Sequence, residues 1–400
     1  MGSSTNARWY PLLTLSEVYG PRHVYAPRAH WQTSQWIVPD TSMLDGITGN
    51  QLCVLGNMPI VCSAGVATAA WVELLTEFGF DAPDSIHTYS NAEDAIEQAK
   101  QFATSGYKVV VQHVYPEGVI AEKDFWVKRQ LLSYLNNKAN LAELVPTANM
   151  ASRELMKPEA FFGNGAGRRL PIVLKVCTDY STGGGADVAI CRTAEELSIA
   201  KERFRGCELL VAEKLEEFVR NLCVNYAVLR DGSIRLLGFG EQDVDEMGRY
   251  RGNWFWPGWS VPAEVVELGT KIVKQAATSG YRGIAGIDIL KSKDGRWVVL
   301  DLNFRTNGST TPVLLAPTVW HQLGPCYLHF RSFVCKGGFE LLIETARAAL
   351  KSGNFVPLGA LDARAARHAD KPSRVWALVV GESQADILRV ERGLAQRGLV

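Results

Sequence analysis

The chain has 400 residues, 47% of them apolar and 21% charged, and its 42 basic and 42 acidic residues give a formal net charge of zero. This is ordinary composition for a soluble globular protein of two or three domains, and it carries no basic excess of the kind that marks a nucleic-acid binder. No apolar run approaches the ~20 residues needed to cross a membrane, and the N-terminus lacks the pattern of a secretory signal. Eight cysteines, at 53, 62, 177, 191, 207, 223, 326 and 335, form no C-x-x-C pair. A zinc site or disulfide framework is therefore not expected, and the implied compartment is the reducing cytoplasm.

In chain order, residues 1–120 alternate short apolar runs with helical stretches. Gln51–Leu55, Ile60–Cys62 and Val109–Val114 read as strands, and Ser90 with Glu93 reads as a capping box heading the helix through Ala95 to Phe102. Strands separated by helices predict an open α/β domain. A helical region follows from 121, then a Gly-rich strand and turn at 171–187 and a helix capped by Thr193. Residues 206–310 hold strand-like runs with two Asp-Gly turns and a helix over 262–279. A helix over 338–352, a strand Trp376–Val380 and a helix Ala385–Gln396 complete the pattern, with no internal repeat.

The most informative stretch runs from Gly286 through Asp288, Asp294-Gly295 and Asp301 to Asn303 and Arg305. Asp-Gly between β-rich runs predicts a hairpin with a type I′ two-residue turn. That turn sets Asp288 directly opposite Asp301 and Gly286 opposite Asn303, with Arg305 on the same face. Two facing carboxylates repel unless a cation lies between them. Two carboxylates and an amide oxygen are the hard donors that Mg²⁺ accepts when phosphates complete its shell. The competing reading, a surface hairpin with solvated acids, conflicts with the apolar Ile287, Ile289, Val299 and Leu300.

A second stretch, Pro171 to Asp187, sets Lys175 within an apolar strand that runs into Ser181-Thr-Gly183-Gly184-Gly185. A buried ammonium needs an anion, and such a loop offers backbone N–H groups to phosphates. Neither a Walker A loop nor the G-x-G-x-x-G spacing occurs. A third stretch, Glu208 to Leu215, is an apolar strand ending in Glu213-Lys214-Leu215, a candidate hinge whose backbone and Glu213 would read an adenine amino group. The seven histidines show no metal spacing.

These elements, in this order over about 125–312, resemble the ATP-grasp superfamily. The resemblance implies an α/β (α+β ATP-grasp) fold with ATP and Mg²⁺ as cofactors. It assigns metal ligation to Asp288, Asp301 and Asn303, and phosphate binding to Lys175 and the Gly-rich loop. Glu213–Leu215 become the adenine hinge, Arg305 contacts the transferring phosphoryl or acyl phosphate, and the Gly308-Ser309 turn assists it. The earlier nucleotide lysine falls on Lys138 or Lys128. The ribose acid has no residue at its usual place near Arg220 and Asn221, so either Glu216 or Glu217 substitutes or ribose is held differently. Expected domains are 1–120 (N-terminal α/β), 121–212 (lid), 213–315 (metal-binding) and 316–400 (a small C-terminal α/β segment).

Tyr250-Arg251-Gly-Asn253 and Leu358-Gly-Ala-Leu-Asp362 further resemble the pheganomycin-type peptide ligases of natural-product assembly. The implied reaction activates a carboxylate as an acyl phosphate and joins it to an amine, the Gly-rich loop closing over the site. The partners are a small-molecule acid and an amine such as an amino acid or peptide. Oligomeric state stays open, a homodimer included. A carrier-protein thiol as acceptor, or a non-catalytic nucleotide-binding scaffold, are the alternatives. Arg249, Arg251 and the Trp254–Trp256–Trp259 cluster read equally as an acceptor site and as a loop packed on the core.

Overall fold

The computed structural model describes residues 8–29, 40–81, 83–163, 169–179, 185 and 187–400. An N-terminal parallel sheet holds β1 (His23–Ala26), β2 (Ile60–Ser63), β3 (Ile86–Tyr89) and β4 (Lys108–Val111) in the order β3-β2-β1-β4. Helices Ala69–Glu77 and Ala92–Thr104 belong to its crossovers. The second helix is capped by Asn91 rather than Ser90. Asn91 accepts from the amide of Asp94, whose carboxylate accepts from that of Ser90. Gln51–Leu55, expected as a strand, contains a 3₁₀ turn over Leu52–Val54. Short apolar runs buried on every side look alike to periodicity whichever way they fold.

A second sheet, antiparallel, holds β5 (Arg153–Met156), β6 (Ile172–Cys177), β7 (Val188–Cys191) and β8 (Leu209–Lys214) in the order β5-β8-β6-β7. Phe161, Leu174, Leu210 and Phe204 form its own small core beneath the helix Ala194–Arg203, which Thr193 and Glu196 cap reciprocally.

The third sheet has eight strands: β9 (Phe218–Val228), β10 (Ile234–Val244), β11 (Tyr250–Phe255), β12 (Gly283–Ser292), β13 (Trp297–Asn303), β14 (Tyr327–Cys335), β15 (Phe355–Leu361) and β16 (Ser373–Gly381). Their spatial order is β13-β12-β9-β10-β11-β14-β16-β15. Residues 316–400 therefore do not stand apart, because β14 pairs with β11 and carries β16 and β15 beyond it. Phe355, Leu358 and Ala360 share one core with Trp71, Leu74 and Val66 of the N-terminal domain. Helix Ala263–Thr278 covers the other face, where Val265, Ile272 and Val273 meet Leu222, Val224 and Tyr226 of β9.

The hairpin β12–β13 differs from its expected turn and still reaches the expected register. Ser292 accepts from Gly295 and donates to the carbonyl of Arg296, so the loop has three residues, with Gly295 at φ +90°. Near the turn the pairs are Lys291 with Trp297 and Ile289 with Val299. One extra residue on β13, Leu300, then shifts the ladder, and Asp288 faces Asp301 and Gly286 faces Asn303. The longer loop and the bulge cancel. The bulge also takes the Leu300 carbonyl out of the ladder, and it accepts from Lys175 Nζ at 2.8 Å.

Candidate active site

Asp288 and Asp301 face each other on the hairpin, with Asn303 two residues beyond. Asp288 Oδ2 accepts from Asn303 Nδ2 at 3.1 Å, and its Oδ1 accepts from Gln242 Nε2 at 2.9 Å. Burial, then the facing charge of Asp301, push the Asp288 carboxyl up to about 6. Arg305 NH2 donates to Asn303 Oδ1 at 2.7 Å and NH1 to the Thr306 carbonyl at 3.2 Å. Its Nε is buried with no hydrogen-bond partner among the described residues.

Of the two lysines proposed for the earlier nucleotide contact, Lys138 is the one at the hairpin. Its Nζ lies 2.9 Å from Asp187 and 3.3 Å from Asp301, and these two anions hold its pKa up against burial. Lys128 precedes the helix Arg129–Asn136, and its side chain makes no capping bond there. Lys175 is buried on β6, 2.6 Å from Glu213. Of the Gly-rich loop, Gly185 is described and exposed, whereas Ser181, Gly183 and Gly184 lie outside the described residues.

The hinge strand differs from expectation in one side chain. Glu213 is buried, with its carboxylate turned to Lys175 and, at 3.8 Å, to Arg153, instead of being free to read an adenine. Register explains this: Glu213 lies opposite Arg153 on β5 and opposite Val173, two residues from Lys175, on β6. Lys214 is exposed and pairs with Glu216, which also meets Arg296; Glu217 pairs with Lys293. Leu215 follows the strand, half-buried.

The turn after β13 is fixed by a buried amide network. Asn225 donates to Ser309 Oγ at 2.9 Å, and Asn307 donates to Asn225 Oδ1 at 3.1 Å. The Ser309 amide is already committed to Asn307 Oδ1 at 2.9 Å, so it is not the free donor that was expected; Gly308 is exposed. From the N-terminal domain, Tyr25 meets Thr306 Oγ1 at 2.5 Å and Gln112 reaches the Thr306 carbonyl at 3.0 Å. Gly286 is glycine because an added Cβ would sit 2.1 Å from Asn307 Nδ2.

Comparison with known proteins places this geometry. A model described as "L-aspartate--L-methionine ligase, ATP grasp" matches residues 151–303, and one described as the N-terminal domain of the same ligase matches 14–133, together more than half of the chain. The chain belongs to the ATP-grasp ligases. Solved ATP-grasp structures share its architecture throughout. An ADP complex of N5-carboxyaminoimidazole ribonucleotide synthetase aligns with TM-score 0.59 at 12% identity, covering 96% of this chain and 98% of that one. The Staphylococcus aureus N5-carboxyaminoimidazole synthetase with ADP gives 0.58 at 10% over 99% and 100%. An L-amino acid ligase from Bacillus licheniformis gives 0.53 at 12% over 94% and 98%. At these identities the likeness speaks for the fold. Membership establishes an ATP- and Mg²⁺-dependent carbon–nitrogen ligase that couples a carboxylate to an amine.

The residues present suit the magnesium of an ATP-grasp enzyme. Among the described residues no group of three His, Cys, Asp or Glu could hold a metal, and this hairpin supplies instead two carboxylates and an amide. Asp288 is buried opposite Asp301, an arrangement that a divalent cation between the two carboxylates would relieve. Lys138 is the cation that currently lies beside Asp301.

The acceptor candidates divide by strand alternation. Gln242 shares the face of Asp288, so its neighbour Glu241, and Trp254 opposite Glu241, lie on the reverse face. There Trp254 stacks on His329 at 3.8 Å, Trp256 stacks on Trp259 at 4.1 Å, and Arg220 lies 4.0 Å over Trp259 while pairing with Glu241. The indoles pack on this reverse face, away from Asp288. Arg251 turns to Asp243, and Arg249 lies in an exposed hairpin tip near Arg203. Tyr250, expected in a loop, begins β11, and its hydroxyl donates to Asn253 Oδ1. Sequence reasoning missed Gln242, Asp187, Arg153 and Asn225. The one signal for Asn225 was an amide inside an otherwise apolar strand.

Proposed function

We propose that this ligase joins two α-amino acids into a dipeptide. An acidic amino acid would supply the activated carboxylate, and a sulfur-containing or apolar one would supply the amine, the pairing named for the matching family. The observation that carries the reading is the continuous row Arg305–Asn303–Asp288–Asp301–Lys138 on one face of the hairpin. It concentrates positive charge and metal donors where a phosphoryl group passes from ATP to a carboxylate.

In this reading Asp288, Asp301 and Asn303 hold Mg²⁺, which when bound neutralises and aligns the phosphate oxygens. Lys138 exchanges Asp187 and Asp301 for phosphate oxygens. Lys175 and the loop at Ser181, Gly183, Gly184 and Gly185 hold the phosphates from the second sheet. The backbone of Glu213–Leu215 meets the base, with Glu216, whose side chain is largely buried, as the nearest acid for ribose. Arg305 steadies the acyl phosphate through Nε, which has no other partner among the described residues. The amine then attacks the acyl carbon, the C–O bond to phosphate breaks, and phosphate leaves with the electron pair.

All eight cysteines are free and buried, in keeping with a reducing compartment, and we place the enzyme in the cytoplasm, in small-peptide or natural-product synthesis. No helix among the described residues is long and apolar enough to cross a membrane. The test is ADP release over pairs of L-amino acids, beginning with aspartate and methionine, with the product mass read in parallel. ADP should appear only with both partners present, together with a mass equal to their sum less water. ADP release indifferent to the second partner would sink the ligation of two amino acids.

A further inference from the structure

Asp288 is gripped from a strand outside its own hairpin. It lies on β12, and Gln242 on β10, with β9 between them. Adjacent strands are ~4.8 Å apart, so a side chain on β10 must clear a whole strand to reach β12. The β9 residue facing both Asp288 and Gly240 is Cys223, small enough to be crossed. Gln242 passes beside it and donates to Asp288 Oδ1 at 2.9 Å. Asn303 donates to the other oxygen at 3.1 Å, and Arg305 in turn fixes Asn303 at 2.7 Å. Each carboxylate oxygen thus has an amide donor, the two from opposite sides, and the Cys223 thiol lies against the same carboxylate.

Gln242 also belongs to a hairpin, β10–β11, that touches other parts of the site. Across β11, Tyr250 packs over Gly308, where a Cβ would lie 2.9 Å from the tyrosine ring. At the tip, Gly248 abuts the second sheet, a Cβ there falling 2.5 Å from Ile190 Cδ1.

We propose that Gln242 is a positioning residue for the metal site: its amide N–H sets the orientation of Asp288, and hence the affinity for the divalent cation, from outside the hairpin that carries the ligands. The inference rests on Asp288 being a metal ligand. Hydrogen-bond donors to ligating carboxylates act on metal affinity by ~10–100-fold.

The test is Gln242→Met, which keeps length and removes the donor, with Mn²⁺ titrated by electron paramagnetic resonance in the presence of ADP. Mn²⁺ should bind about tenfold more weakly than to the wild type. The Mg²⁺ concentration for half-maximal rate should rise by the same factor, with kcat at saturating Mg²⁺ within about threefold and amino-acid KM values unchanged. Gln242→Asn, whose amide is one methylene short, should behave alike and stands in if the methionine variant does not fold. Unchanged Mn²⁺ affinity overturns the proposal. So does a kcat loss that no Mg²⁺ concentration restores, or a change confined to the KM of the amine. Should no pair of amino acids give ADP, the proposed substrates fail while the Mn²⁺ titration still decides the role of Gln242.

Discussion

The two faces of β9 and β10 carry neighbouring residues to opposite fates. On one face stand Cys223, Asn225 and Gln242, gathered around Asp288, Asn307 and Ser309. On the other, one residue away, stand Leu222, Val224, Tyr226 and Phe239 beneath the helix Ala263–Thr278 and the Trp256–Trp259 stack. Both faces contain a charged pair near the strand ends. Arg220 with Glu241 on the reverse face is held against an indole, whereas Lys138 with Asp301 on the site face borders a second acid, Asp187. A cation flanked by aromatic rings braces structure. In the proposed site, a cation shared between acids that a metal and phosphates would satisfy would exchange its partners when they bind.

That contrast can be broken in several ways. The largest effect is expected from Arg305→Ala, which removes the guanidinium beside Asn303 on the hairpin face and should lower kcat by ~10²–10³ with the fold intact. A loss under tenfold in steady-state ADP release would detach Arg305 from the chemistry. Lys175→Met comes next: among the described residues Glu213 keeps Arg153, at 3.8 Å, as its ion-pair partner, so both ATP turnover and stability should fall. Breaking a buried pair costs ~3–5 kcal/mol, read as a lower midpoint in urea unfolding. A stable, fully active variant would contradict the phosphate role.

A pH effect follows in size. The folded-state pKa of Asp288 lies above its unfolded value, so its stabilisation of the metal-free protein is complete below pH ~4 and is lost as pH rises through about 6. Metal needs the ionised form, so below about pH 6 the Mg²⁺ requirement should climb, approaching tenfold per pH unit. A flat Mg²⁺ requirement from pH ~7.5 to ~5.5 would contradict a metal-ligating Asp288 whose carboxyl is raised to about 6 by burial. The smallest effect belongs to the reverse face. Arg220→Met should cost ~0.5–1 kcal/mol of stability and leave turnover within about twofold. A large loss of turnover there would erase the distinction between the faces.

Much of this was legible in the chain itself. The Asp-Gly signal with flanking β-rich runs located the hairpin, and the facing of Asp288 and Asp301 followed from alternation. It followed, however, through a three-residue loop and a bulge at Leu300 whose offsets cancel, and neither is visible in an unpaired strand. Lys175 was found because an ammonium in an apolar run is costly; its partner Glu213 was misread because strand-to-strand register decides where that carboxylate points. The three tryptophans between 254 and 259 were ambiguous for the same reason. Gln242 left no signal, because its role exists only once β10, β9 and β12 are adjacent.

The most direct test of the account is ADP release by Asp301→Ala beside the wild type, with the acid, the amine and saturating Mg²⁺ present. If Asp301 completes the metal face, release falls to background while the variant melts within a few degrees of the wild type. Undiminished release from a folded Asp301→Ala protein would contradict the site.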